Sequence, residues 1–503
     1  MTSPREPIRN LIASLLFFFA RVAAVVLQLK LVEHFFGAQY AGLNALLNQL
    51  AFYVALIELG LAAAAISLLY EPIKSEDRER TSALLFALHR DTSRLMLLAL
   101  PVIAALIYGY SRSLHTSLPY FVVLATLALT AISGLVTLLS IHYQAYLNAS
   151  EEIYQVHLVL GAGYLLKTAI GVALAVHLGN YLWLPATVVG VTIGEVLTMR
   201  WRFHRSFPHY VARAGRDAFA VIRNRAKYVL FHRVGGLIYY QSDFIILSLV
   251  ASLALVKDYA QVQYAVAGAL GLSSAVFNAL TATIARRRLD AGPDARWKQY
   301  ATILRTTYFL AGCAAIALFF TVPAAVQWFF GGGALPQRDF LLFAMLLFLN
   351  IVKQVDDTLI TATGTFHVGF WLPLLESTSY ALLGIVLARR FGIEGIVTAG
   401  ICTNLVFAVV AKSEVVARGI FEGSTRRLAR TKFTTLLAAA VCVAPIFGMY
   451  VAARAIRLGP LGTVGLLNTL TIIYSLAVSW LFLRKSFAER DPRRAAVLKR
   501  EAA

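Results

Sequence analysis

The 503-residue sequence predicts an all-α integral membrane protein of about fourteen transmembrane helices, on three grounds. Hydrophobic residues make up 59% of the chain and charged ones only 14%, against about 25% charged in a soluble domain. Mean hydropathy is +0.70, and apolar runs of about 20 residues, long enough to cross a bilayer, recur along nearly the whole length. Backbone inside lipid must satisfy its own hydrogen bonds, which leaves helices or a closed barrel. Runs such as residues 97–107 do not alternate apolar and polar side chains, so helices are selected.

The spans are expected near residues 10–35, 43–70, 92–110, 119–145, 155–177, 181–203, 228–251, 259–285, 300–328, 339–363, 367–388, 391–416, 433–455 and 461–483. The first apolar stretch, about Leu11 to Phe36, is too long for a signal-peptide core and carries Arg21, Lys30 and Glu33, so it reads as the first span. Most connections are short. The longest, about residues 203–227, is basic and amphipathic (Tyr210, Val211, Phe219, Val221, Ile222). It is expected to lie on the membrane surface and join two six-helix lobes. The expected organisation is an N-terminal lobe at residues 1–203 and a basic linker at 204–227. A C-terminal lobe at 228–416 follows, then two extra spans and a basic tail at 417–503.

Lysine and arginine set the topology, because cytoplasmic loops carry the excess. With the N-terminus inside, 32 of the 46 basic residues fall in inside segments, 7 outside and 7 within spans. Both termini are therefore expected in the cytoplasm. The net charge of +20 is spread over many loops between spans, which points to orientation and to membrane lipid headgroups, and not to nucleic acid. Cys313, Cys402 and Cys442 sit in apolar runs without metal spacing, and His204 and His209 lie five apart in a basic loop, so no metal site is expected.

Six ionisable residues fall near mid-span: Arg21, Glu58, Lys167, Asp243, Lys353 and Glu376. Each would cost about 2.5–3.5 kcal/mol at the bilayer centre, or on the order of 15–20 kcal/mol together, more than the stability of a typical fold. They are expected to face one another or a water-filled cavity. Helical spacing supports a shared face. In span 1, Asn10, Ser14, Arg21 and Gln28 form a stripe; in span 2, Asn44, Asn48, Ala51, Ala55, Glu58 and Ala62 do. Span 7 aligns Arg233, Gly236, Tyr240 and Asp243, and span 10 aligns Asn350, Lys353, Asp357 and Thr361 beside Gln354 and Asp356. Polar stripes from both halves of the chain suit a transporter lined by two bundles. The competing reading is that buried ion pairs only lock helices together. In span 10, Lys353 reaches both Asp356 and Asp357 at helical spacing. Two acids on one lysine are expected to take up a proton or small cation, unless the pair is static. Gly161 and Gly163 read as close-packing positions.

Gly42-Leu43-Asn44 through Ile57-Glu58-Leu59-Gly60-Leu61-Ala62, followed by Leu69-Tyr70-Glu71-Pro72, resembles the second helix of a known transporter family. So do Asp243-Phe244-Ile245-Ile246-Leu247-Ser248 its seventh, and Pro373-Leu374-Leu375-Glu376 with Phe391-Gly392-Ile393-Glu394-Gly395-Ile396 its eleventh and twelfth. The family is the polysaccharide-transporter (O-antigen-flippase type) branch of the multidrug/oligosaccharidyl-lipid/polysaccharide flippase superfamily. The resemblance covers about residues 10–415 and rests on the order and spacing of loose motifs. It implies two pseudo-symmetric six-helix lobes, alternating access, and an undecaprenyl-diphosphate-linked oligosaccharide flipped across the bacterial cytoplasmic membrane. Glycan-assembly proteins are implied partners. In the branch that carries the peptidoglycan precursor, a helix 1 arginine is commonly followed by an acid. Here Arg21 is followed by Val22, which points away from that branch.

The residues fit such a substrate. Arginine offers a fork of donors to a diphosphate, and Gln28, Asn44, Asn48 and Tyr240 offer hydrogen bonds to sugars. Arg21, Lys167, Arg233 and Lys353 supply the cations, with Glu58 and Asp243 among them; Asp356, Asp357 and Glu376 are the ion-coupling candidates. No cofactor is expected. The chain has no G-x-x-x-x-G-K-[ST] motif, so energy would come from a sodium or proton gradient, the membrane potential or the substrate gradient. Two rival readings stand beside this one. A drug or cation antiporter of the same superfamily would favour an acidic lumen. A membrane-embedded glycan polymerase or ligase would need a sizeable external loop, and residues 331–339 and 252–258 are short.

Overall fold

The structure, a computed structural model, describes residues 6–54, 58, 60–212, 218–290, 293–331, 335–363, 371–419, 421, 425–455, 465, 467–475 and 478. These are helical almost throughout: α1 (Glu6–Phe36), α2 (Ala38–Val54), α3 (Leu61–Lys74), α4 (Arg78–Ser113), α5 (Tyr120–Leu138), α6 (Ile141–Ala149), α7 (Ile153–His177) and α8 (Trp183–Ser206). They continue with α9 (Ala218–Val250), α10 (Leu253–Asp290), α11 (Pro293–Phe330), α12 (Gln337–Thr363), α13 (Leu372–Thr403), a π-helical segment (Asn404–Ala411), α14 (Lys412–Gly419) and α15 (Thr425–Ala455). Among the described residues, seven helices are long and apolar enough to cross a membrane. The chain is an all-helical, multi-pass membrane protein.

Several spans differ from their expected form, each for a local reason. Span 2 is broken before α3, which starts at Leu61 and is capped by Gly60 at φ 74°. A left-handed residue cannot continue a right-handed helix, and glycine adopts it without strain. Glu58 thus sits, buried, at a break rather than mid-helix; Ala55 lies outside the described residues. Span 4 divides at Leu139 and Ser140 into α5 and α6. Spans 11 and 12 run through one element bent at Gly392, whose φ of 55° and ψ of −124° are non-helical. Span 3 begins much earlier than its apolar run, at an Asp77 cap whose carboxylate accepts from the Arg80 amide at 2.9 Å. That early part is held by an amphipathic face on which Leu84, Leu85 and Leu88 are buried. Most of span 14 lies outside the described residues.

The chain divides into two compact units: Met1–Tyr264 with Pro373–Gly392, and Ala265–Leu372 with Ile393–Ala503. In unit 1 the core joins Leu69, Leu85, Leu88, Tyr146, Met199, Phe203, Phe207 and Ile222. Tyr210 and Phe219 pack onto it, so the apolar side chains of the basic linker are largely folded against protein. Of the apolar side chains named there, Val211 and Val221 keep large exposed areas. In unit 2 a core of Phe309, Cys313, Val443, Ile446, Tyr450 and Leu467 packs α11 against α15. All three cysteines are free.

Candidate functional site

The span 1 stripe is real but does two jobs. At its start, Asn10 donates to the Glu151 carbonyl at 2.8 Å and accepts from the Tyr154 amide at 3.1 Å. Ser14 Oγ lies 2.8 Å from His157 Nδ1. These contacts fasten α1 to α7. Higher on the same face, Arg21 and Gln28 reach the interior of unit 1.

There, α1, α2, α5, α7 and α8 enclose a cavity of about 290 Å³ lined by Gln28, Asn44, Asn48, Ala51, Phe52, Thr130, Ser133, Tyr164, Lys167, Thr168 and Tyr181, among others. Four of the expected binding residues, from three helices, meet in it. Arg21 stacks against two lining rings, its guanidinium carbon 5.0 Å from the Phe52 centroid and 5.9 Å from that of Tyr164. A cation over an aromatic face is held without losing its outward donors. Lys167 Nζ is 2.8 Å from Glu195 Oε2 and 5.6 Å from the Tyr164 ring centre. Among the described residues, the side-chain nitrogen of Asn44 and the other Glu195 oxygen are buried with no hydrogen-bond partner. Each such group costs about 1–3 kcal/mol, so this cavity is built to receive polar matter.

Glu195 was not among the expected site residues. It sits within the apolar stretch of span 6, and the same mid-span cost that flagged Lys167 applies to it. Gly163 exists for its sake: a Cβ there would lie 1.7 Å from Glu195 Oε1. Gly161 packs at van der Waals distance from the Phe17 backbone.

Asp243 lies elsewhere in unit 1, in a cage of tyrosines. The hydroxyls of Tyr259 and Tyr380 donate to its two oxygens. Phe244 packs on Tyr259 at 5.2 Å and Tyr239 on Tyr380 at 5.0 Å. Glu376, buried, precedes Tyr380 by one turn on the same face of α13. Tyr240 is 37% exposed and packs on Tyr239, so it does not share the inward face of Asp243. The Arg233 side chain lies outside the described residues. A second ionic cluster that the sequence reading passed over joins Lys257 Nζ to Glu33 and Asp258 at 2.8 and 2.7 Å.

In unit 2 the α12 acids have partners on other helices. Asp356 is engaged on both oxygens, by the Tyr300 hydroxyl at 2.9 Å and by Lys432 Nζ at 2.5 Å. Lys432 also donates to Ser413 Oγ at 2.6 Å. Asp357 pairs with Lys412 at 2.8 Å. The two acids therefore do not depend on Lys353 alone, and the net negative charge expected of the group is offset by lysines from α14 and α15. Asn350, buried, accepts from Asn404 at 3.2 Å, where the π-helical segment begins. Among the described residues, no cluster of three or more His, Cys, Asp or Glu could hold a metal.

Helical spans, small-residue seams and a polar cavity of mixed charge inside a bundle define the class: a multi-pass membrane protein with a polar cavity in its first unit. No family model matches the sequence, and no curated protein does. Solved structures of several transporters are similar to it. One is the lipid II flippase MurJ in its inward closed conformation, with a TM-score of 0.67 at 16% identity, covering 94% of this chain and 99% of that one. Another is a MOP superfamily transporter from Pyrococcus furiosus, at 0.60 and 12%, covering 84% and 97%. A third is the Vibrio cholerae MATE transporter VcmN, at 0.58 and 11%, covering 84% and 98%. The chain shares its fold with these structures.

Proposed function

We propose that this protein is a flippase that moves an undecaprenyl-diphosphate-linked oligosaccharide from the cytoplasmic to the outer leaflet by alternating access. The observation that carries the reading is the unit 1 cavity, where Arg21 and Lys167 stand beside Gln28, Asn44 and Asn48. A diphosphate needs preorganised cations in a low-dielectric site, and a sugar needs amide donors and acceptors. A fold shared with a flippase and with MATE transporters supports movement of a solute across the bilayer. The motif order in the sequence supports the polysaccharide-transporter branch, and Val22 after Arg21 argues against a peptidoglycan precursor as cargo. In this proposal fourteen helices form two pseudo-symmetric lobes plus two C-terminal helices. Both termini face the cytoplasm of a bacterium.

Asp243 with Glu376, or Asp357 on α12, would couple transport to sodium or protons. The alternative is a drug or cation antiporter, and the cationic character of the cavity weighs against it.

The test is flipping of a fluorescent polyprenyl-diphosphate oligosaccharide in proteoliposomes. Arg21→Ala is expected to lower the rate at least about tenfold with normal membrane levels. Arg21→Lys is expected to recover only part, because the fork is lost. Normal flipping by Arg21→Ala would show Arg21 to be a packing residue. Efflux of cationic dyes without glycan flipping would favour the antiporter.

A further inference from the structure

We propose that the C-terminal end of α8 is a docking site for the phosphate headgroup of an anionic phospholipid, held by Arg202 and Arg205 beside Trp201. Ile193, Leu197 and Trp201 recur every four residues along α8 and are 45%, 58% and 56% exposed, so they form one apolar stripe open to the surroundings. Arg205 is the next position on that stripe. An apolar face that ends in an indole and then a guanidinium is the order in which a bilayer presents acyl chains, interface and headgroup.

Trp201 also organises the charges. The guanidinium carbons of Arg202 and Arg205 lie 5.8 and 5.7 Å from its ring centre. Arg202 is braced further by a bond from Nη1 to Gln155 Oε1 at 3.2 Å, while its Nε is buried with no acceptor among the described residues. Both forks are thus positioned before any ligand arrives, which lowers the entropy lost on binding.

Glu152 Oε2 accepts from Ser206 at 2.7 Å and from Gln155 at 2.8 Å, a negative charge beside the two arginines. Arg200, exposed on the same turn, adds a third positive charge. Basic clusters at the end of a membrane helix attract anionic headgroups. The continuous apolar stripe favours a lipid over an acidic protein as the occupant.

The experiment is native mass spectrometry of the purified full-length protein titrated with phosphatidylglycerol or phosphatidylcholine. The wild type is expected to retain phosphatidylglycerol in preference to phosphatidylcholine. The double variant Arg202→Gln/Arg205→Gln is expected to bind phosphatidylglycerol about tenfold more weakly. Trp201→Ala, which keeps the charges but removes their support, is expected to lose a few-fold. Arg389→Gln/Arg390→Gln, an exposed pair on α13 without an indole, is the control and should match wild type. If the double variant fails to fold, Arg205→Gln alone leaves the Arg202–Gln155 bond in place and carries the same expectation at smaller size. Equal binding of both lipids by the wild type, or undiminished phosphatidylglycerol binding by the variants, would overturn the proposal. Unchanged lipid binding with loss of a co-purifying acidic protein would assign the face to a protein partner.

Discussion

Two lysine–carboxylate pairs, one in each unit, differ in what surrounds them. Lys167 and Glu195 meet at the wall of a cavity, and one Glu195 oxygen has no partner among the described residues. Lys432 and Asp356 meet in packed protein, with both Asp356 oxygens and a second acceptor for the lysine accounted for. The first pair holds charge where something else can compete for it. The second is a clamp. Burial alone therefore does not mark a working charge in a membrane protein; an unfinished hydrogen-bond set beside open volume does.

The largest expected effect is on the clamp. Asp356→Asn leaves Lys432 charged and buried, and breaking one partner of a buried pair costs about 3–5 kcal/mol. Thermal unfolding in detergent should drop markedly, while the sodium and pH dependence of the remaining transport stays that of wild type. A changed ion profile with full stability would make Asp356 a coupling group and erase the contrast. A smaller effect is expected at the cavity wall. Gly163→Ala puts a methyl against Glu195 and must displace its carboxylate from Lys167. Stability should fall by about 1–3 kcal/mol, and flipping should fall further than the loss of folded protein explains. If flipping tracks folded protein, the Lys167–Glu195 pair is a clamp too. The smallest stability effect is expected at Asp357→Asn. Its side chain is 44% exposed while that of Lys412 is only 7% exposed, so the pair is open on one side and its loss should be milder than at Asp356. If coupling resides on α12, this variant should shift the pH or sodium profile with a smaller fall in melting temperature than Asp356→Asn. An unaltered profile would leave only Asp243 and Glu376 as coupling candidates.

Helical periodicity made part of this legible. The stripe from Arg21 to Gln28 and the pair Asn44 and Asn48 follow from spacing alone, and all reach the unit 1 cavity or its lining rings. Glu195 carried the same signal as Lys167, an ionisable residue in an apolar run, and could have been read. Lys432 could not. It sits at the edge of a basic stretch, where it counts as one more positive loop charge, and its partner is 76 positions away. Long-range pairing leaves no local mark, so only the in-helix neighbour Lys353 could be read from spacing. The break before α3 was visible only as Gly60, because glycine permits a left-handed residue without requiring one.

The Lys432–Asp356 contact changes what α15 is. Seen along the chain it is an addition beyond the twelve spans that the motifs cover. Through one ammonium group it becomes a creditor of α12. A chain of this fold that lost the lysine would have to lose or neutralise the acid as well, and one that lost the acid would strand the lysine. Removing either residue alone would leave the other buried and unmatched, so α12 and α15 stand or fall together at this contact.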